Sequence, residues 1–172
     1  MRRVRYHVAT SLDGFIAGPK GEADWIITDP DIDFGALYKQ FDTALIGRRT
    51  FEAMARGKKK AGALPGLRTL VFSRTLRQRD HRKVTIVGAD AEETVAALRA
   101  ESGKDIWLFG GGLLFRSLLG AGLVDTVEVA VIPVLLGGGI PMLPPPAGRA
   151  QLALTDHKVY GTGRVSLEYT VK

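Results

Sequence analysis

The chain contains no cysteine. Disulfide stapling and thiolate chemistry are thereby excluded, and a reducing compartment suits it. It has no apolar run long enough to span a bilayer, and its basic start, Met1-Arg2-Arg3-Val4-Arg5, lacks the apolar segment of a secretory leader. A soluble, cytoplasmic protein with no membrane contact is expected. Histidine is scarce: His7, His81 and His157 stand apart, without metal-ligand spacing, so no metal site is expected, and His7, on a strand, reads as structural. Ser11 has no paired base nearby, which leaves a hydrolase without support. The formal net charge is +6, yet the basic residues are scattered and form no stripe interleaved with aromatics. Nucleic acid is therefore not expected as a partner, and an anionic small ligand accounts for the charge.

What is present suits a single domain over residues 1–172. The hydrophobic share is 45%, enough for a sizeable core, and there is no repeat, linker or low-complexity tract. Residues 3–10 predict a first strand ending at Ser11-Leu12-Asp13-Gly14. A breaker-rich loop then reaches to about Asp29. Pro30 opens a predicted helix with Asp29 as its cap, and Phe34, Leu37, Tyr38 and Phe41 form its buried face. Thr43 to Gly47 reads as a short buried strand running into a helical turn or two over Arg48 to Met54. The loop Arg56 to Gly62, with Lys58, Lys59 and Lys60 as a solvated run, leads to a strand at Arg68–Ser73 and another at Val84–Val87. Asp90, with Glu93 three residues on, predicts a capping box for a helix whose inner stripe is Ala91, Val95 and Leu98 and which Gly103 stops. A strand at Val124–Val131 places Asp125 and Glu128 on its polar side. The Gly- and Pro-rich run Pro133 to Pro146 is expected to be irregular. Leu152–Tyr160 and Arg164–Val171 predict a terminal antiparallel hairpin. The alternation argues for an α/β fold whose mostly parallel sheet is covered on both faces and closed by that antiparallel pair.

The most informative stretch is Lys104 to Phe115, an apolar strand that runs through Gly110-Gly111-Gly112 into an apolar helix. Such a junction leaves backbone N–H groups unpaired at a helix start, where the dipole favours negative charge, and so suits a phosphate or pyrophosphate. Ligands of parallel sheets collect at the carboxyl ends of strands. Three more of those ends carry suitable chemistry: Ser11 to Ala17, Gly47-Arg48-Arg49-Thr50, and Ser73-Arg74-Thr75. In the second, a glycine permits close approach and two guanidiniums and a hydroxyl follow at a helix start.

Taken together, Ser11-Leu12-Asp13-Gly14-Phe15-Ile16-Ala17, Leu45-Ile46-Gly47-Arg48-Arg49-Thr50-Phe51-Glu52, Val71-Phe72-Ser73-Arg74 and Leu108-Phe109-Gly110-Gly111-Gly112 resemble the dihydrofolate reductase-like superfamily in order and separation. The first of them, and the late run Pro133 to Leu143, are closer to the reductase domain of the bacterial riboflavin-pathway deaminase-reductase than to true dihydrofolate reductase. The resemblance implies a three-layer α-β-α fold and NADPH-dependent hydride transfer to a heterocyclic small molecule, either pterin-like or a ribosylaminopyrimidine. It implies that Gly47, Arg48, Arg49 and Thr50 hold the pyrophosphate and part of the adenosine. Gly110, Gly111 and Gly112, continued by Leu113 and Leu114, would approach the cofactor from the other side, with an unusual peptide between Gly110 and Gly111. Ser73 and Arg74 would meet the adenosine 2′-phosphate, which Lys58 to Lys60 could also reach. Ala9, Ile16 and Ala17 would line the nicotinamide pocket, covered by the loop from Ser11 to Asp24. Relatives of this branch are commonly dimers, so a homodimer is implied, with Leu135 to Met142 either at its contact or bordering the substrate pocket.

The acid is where two readings stand side by side. Dihydrofolate reductases carry a carboxylate on the first helix, and their spacing back from Gly47 lands on Asp31. Helical phase instead puts Phe34, ahead of Leu37 and Tyr38, at that position, leaving Asp31 and Asp33 as first-turn acids that favour the helix dipole. Phe34 and Tyr38 then become substrate contacts, joined by Trp25, which is either a core residue or a stacking surface under the covering loop. A carboxylate that fails to point inward would favour the ribosylaminopyrimidine over the pterin, or a nucleotide-binding protein that keeps the fold with little catalysis.

Overall fold

A computed structural model describes residues 1–56 and 63–172; the lysine run at Lys58 to Lys60 lies outside the described residues. Its elements are β1 (Val4–Ser11), β2 (Phe15–Ala17), α1 (Phe34–Tyr38), β3 (Phe41–Gly47), α2 (Arg48–Arg56), β4 (Arg68–Phe72), β5 (Thr85–Val87), α3 (Ala91–Ala100), β6 (Asp105–Gly110), α4 (Gly112–Gly120), β7 (Thr126–Ile132), β8 (Ile140–Pro141), β9 (Leu152–Val159) and β10 (Val165–Val171). Eight strands form one sheet in the order β5-β4-β3-β6-β1-β7-β10-β9. From β5 to β7 every pairing is parallel, and β10 runs antiparallel to both β7 and β9. This is the mostly parallel sheet with a terminal antiparallel pair that the sequence implied.

Alternation along the strands sorts the core into two layers. On one face Val4, Tyr6, Leu45, Leu70, Ile106 and Leu108 pack against Val95 and Leu98 of α3 and Leu114, Phe115 and Leu118 of α4. On the other, Phe41, Ala44, Ile46, Val71 and Trp107 meet Phe51 of α2 and Leu37 and Tyr38 of α1. Strands buried on both faces need apolar side chains at every position, which is why Ala44, Leu45 and Ile46 are all fully buried.

Several local expectations give way to the structure. The helix foreseen from Pro30 starts at Phe34, where Asp33 Oδ1 accepts the Ala36 N–H at 2.9 Å. Asp29 does not cap it. Its buried carboxylate accepts the Asp31 N–H at 2.9 Å, a turn that holds the chain out of helix, and the Thr162 hydroxyl at 2.7 Å. Phe41 belongs to β3 and not to the helical stripe, since α1 is only five residues long. At α3, Asp90 has a left-handed backbone (φ 53°) and its side chain makes no capping bond, so no capping box forms there. An N-cap side chain reaches back from an extended backbone, which the left-handed turn denies it. The stretches read as irregular, 15–29 and 133–146, contribute β2 and β8, paired antiparallel through Phe15–Pro141 and Ala17–Ile140. Strands of three and two residues are too short to show alternation. Glu128 lies in the sheet with 6% exposure and not on a polar side. Asp33→Ala is expected to cost about 1 kcal/mol in urea unfolding, the usual effect of losing an N-cap.

Candidate functional site

The sheet brings the two glycine-led junctions together. β3 and β6 are parallel neighbours with Ile46 opposite Gly110, so both chains leave the sheet side by side. β3 passes directly into α2 at Gly47–Arg48, and β6 passes through Gly111 into α4. A Cβ at Gly47 would sit 3.2 Å from the Gly111 nitrogen, and one at Gly111 would sit 3.0 Å from Thr50 Oγ1. A side chain at either position would crowd this approach. The Gly110–Gly111 peptide is cis, and Gly110 has φ +135°. Gly112 is equally confined, because its Cβ would lie 2.6 Å from the Pro141 carbonyl oxygen and 2.8 Å from that of Met142. Two nine-residue helices therefore begin at adjacent points on the carboxyl side of the sheet, where their first N–H groups lack helical partners.

The nearby cations divide into engaged and free. Arg48 Nη1 donates to Glu52 at 2.9 and 3.1 Å, one turn along α2. Arg49 and Arg74 are exposed and make no hydrogen bond or ion pair among the described residues. Ser73 is buried, and its Oγ accepts the N–H groups of Thr75 (3.2 Å) and Leu76 (3.0 Å) in a turn that presents Arg74. Leu113 projects outward at 52% exposure, whereas Leu114 belongs to the core, so Leu114 offers a ligand its backbone only.

The loop after β1 is tied to the late loop. Leu12 N–H donates to the Val134 carbonyl at 2.8 Å, and the Asp13 carboxylate accepts the N–H groups of Leu136 (3.1 Å) and Gly137 (2.7 Å). Hydrogen bonds from Ser11 and then from those two amides hold the Asp13 carboxyl below its ordinary range. Ala9, Ile16 and Ala17 are half-buried on the first strand and β2. Trp25 is half-buried with its indole N–H on the Glu22 carbonyl at 3.0 Å. Trp107 is a core residue. On α1, Phe34 is 43% exposed and Tyr38 sets its ring edge-on to Trp107 at 5.2 Å. Asp31 is exposed and precedes α1, so no carboxylate projects from the inner face of that helix.

One cluster escaped the sequence reading. Arg5 and His7, alternate residues of β1, share a sheet face with Glu128, which stands opposite His7 on β7. Arg5 Nε and Nη2 donate to Glu128 Oε1 and Oε2 at 2.6 and 2.7 Å, Thr126 Oγ1 donates to Oε1 at 2.8 Å, and His7 Nδ1 lies 3.0 Å from Oε2. Burial works to raise the Glu128 pKa, but the hydrogen bonds from His7, Arg5 and Thr126 and the Arg5 charge outweigh it and bring it down to about 2. The signal was available in principle: a charge and an imidazole two apart on a strand that must be covered on both faces need a buried partner.

The comparisons with known proteins agree with this geometry. The family model of the RibD C-terminal domain matches residues 2–166. The uncharacterized protein YyaP of Bacillus subtilis (strain 168) is 34% identical over 98% of this chain and 94% of its own length. Among solved structures, a protein of Shewanella sp. PV-4 named for riboflavin biosynthesis is 26% identical, with a TM-score of 0.83 over 100% of this chain and 99% of that one. Dihydrofolate reductase from Enterococcus faecalis, solved with NADP(H), shares the fold at a TM-score of 0.72 and 19% identity, over 99% of this chain and 96% of its own. A sheet of this order, with its glycine junctions meeting at the carboxyl ends of β3 and β6, thus places the chain in the RibD C-terminal domain family, built on the dihydrofolate reductase fold.

Proposed function

We propose that the protein is an NADPH-dependent reductase acting on a C=N centre of a heterocyclic small molecule, with a ribosylaminopyrimidine ahead of a pterin. The observation that carries this reading is the contact between Gly47–Thr50 and Gly110–Gly111 at two helix starts. Unpaired amides, a free Arg49 and close backbone approach are the donor set a pyrophosphate requires. When bound, the dinucleotide supplies the hydride. Gly47, Arg48, Arg49 and Thr50 form one wall, and Gly110, Gly111, Gly112 and the backbone of Leu113 and Leu114 form the other. Ser73 orients the turn that lets Arg74 meet a 2′-phosphate. Ala9, Ile16 and Ala17 exclude water from the reacting ring, and Trp25, Phe34 and Tyr38 contact the substrate. The exposed position of Asp31 favours the ribosylaminopyrimidine, because pterin reduction relies on a carboxylate of the first helix. The same position favours the second reading, a nucleotide-binding protein with little turnover.

The two readings separate on one assay. NADPH fluorescence should shift on binding, and NADPH absorbance should then fall when 5-amino-6-(5-phosphoribosylamino)uracil or dihydrofolate is added. Binding without oxidation supports the second reading, and absence of binding sinks both. Arg74→Ala should weaken NADPH at least about tenfold, or 1.4 kcal/mol, while leaving NADH affinity unchanged. Equal losses for the two cofactors would remove Arg74 from the 2′-phosphate site.

A further inference from the structure

We propose that His7 is the proton donor of the reduction, with Glu128 as its positioning residue, in the role that no acid of the first helix fills. The proposal rests on the reductase reading above. His7 lies two residues before Ala9 on the same face of β1. Its ring stands edge-on to Trp107 at 5.9 Å, and Trp107 in turn meets Tyr38 of α1, so a single side chain separates it from one of the assigned substrate contacts.

The hydrogen bonding fixes what each ring nitrogen can do. Glu128 is ionised and can only accept, so the 3.0 Å contact requires a proton on His7 Nδ1. Nε2 makes no hydrogen bond among the described residues and is not sealed from solvent. His7, with a side chain 24% exposed, has one nitrogen held by Glu128 and the other open to solvent or a ligand. Nor does Glu128 need His7 for neutrality: Arg5 already binds both of its oxygens. The arrangement is that of an oriented imidazole, in which one nitrogen is anchored on a carboxylate and the other carries the exchangeable proton.

The chemistry balances. Hydride reaches the carbon of C=N, and the His7 imidazolium passes its Nε2 proton to the nitrogen, giving CH–NH. The cofactor leaves oxidised, and the neutral imidazole recovers its proton from water. The charged and titratable groups around the ring are Glu128 on β7 and Arg5 on β1; Tyr38 on α1 lies beyond Trp107, Asp105 is 3.4 Å from Arg5, and Glu168 stands opposite Glu128 on β10. Arg5 keeps the Glu128 carboxylate ionised, and so an obligate acceptor for His7 Nδ1–H.

Two measurements test this. The first needs no cofactor: nitrogen-15 spectra of the protein, with His7 assigned by difference against His7→Gln, should show the Nδ1–H tautomer at high pH. Glu128→Gln, which replaces the obligate acceptor with an amide that can also donate, should lose that tautomer preference. An Nε2–H tautomer in the parent, or a tautomer preference indifferent to Glu128→Gln, overturns the proposal whether or not the protein turns over. The second is steady-state oxidation of NADPH with 5-amino-6-(5-phosphoribosylamino)uracil. His7→Gln should lower kcat by roughly 10²- to 10⁴-fold with NADPH affinity retained, and should abolish the alkaline decline of the pH profile. A kcat within threefold of the parent overturns the role of His7 and leaves the reductase reading standing. A parent protein that binds no NADPH overturns the reading itself and the proposal with it.

Discussion

Replacing Gly139 with alanine is expected to lower stability by roughly 3 kcal/mol, combining a backbone overlap with a side chain in left-handed space. Gly139 has φ +152°, and a Cβ there would overlap the Ala17 carbonyl oxygen and come within 3.3 Å of Gly18 Cα. Neither neighbour is a flexible side chain. Relief requires β8 to move away from β2, which disturbs the Met142 N–H bond to the Gly14 carbonyl at 3.0 Å and the backing of Gly112. Gly138 is the control, since a Cβ there meets nothing within 4 Å. Gly138→Ala should stay within about 0.5 kcal/mol of the parent. Urea midpoints measured on both variants decide the matter, and equal midpoints would show that the late loop does not hold β2 in place.

Glu128→Ala is expected to cost about 3–5 kcal/mol, because it strands a buried guanidinium. Arg5 has a side chain only 8% exposed, and its remaining ionic partner, Asp105, is at 3.4 Å. The pH dependence follows from the same carboxylate. Its folded pKa of about 2 lies below the ordinary 4.5, so it contributes stability above pH 4.5 that is lost as pH falls toward 2. At about 1.4 kcal/mol per unit, the contribution is on the order of 3 kcal/mol. Parent protein should therefore lose stability steeply between pH 4.5 and pH 2, and Glu128→Ala should lack that portion of the slope. Parallel slopes would mean that other carboxylates carry the acid sensitivity.

The sequence exposed the architecture and the glycine junctions for one reason: both are written locally. Apolar runs such as Leu45-Ile46 and Ile106-Trp107-Leu108 mark strands buried on both faces, and glycines directly before helices mark close approach. Start signals misled where two residues competed for one role. The sequence points to Asp29 as the cap and to Asp33 as a first-turn acid, yet Asp33 caps the helix because Asp29 is drawn away by Thr162, 133 positions later. Asp90 failed as a cap through its backbone conformation, which sequence does not reveal. The pairing of Arg5 and His7 with Glu128 lay beyond reading for a related reason, since it depends on β7 lying beside β1 across more than a hundred residues. The first helix was the weakest expectation, and the structure makes it five residues long with Asp31 outside it.

The strand order also sets a timetable. β3, β4 and β5 pair with one another inside residues 41–87 and can assemble as soon as they are made. β1 pairs in the sheet with β6 and β7, so its ladder stays open until residue 105 and is completed only after residue 126. The strand that carries Arg5, His7 and Ala9 thus waits more than a hundred residues for its partners, whereas β9 and β10 pair with each other across a short turn. A nascent chain must keep that apolar edge from other partners throughout the interval, and its docking carries the loop-closure cost of the most non-local pairings in the parallel part of the sheet.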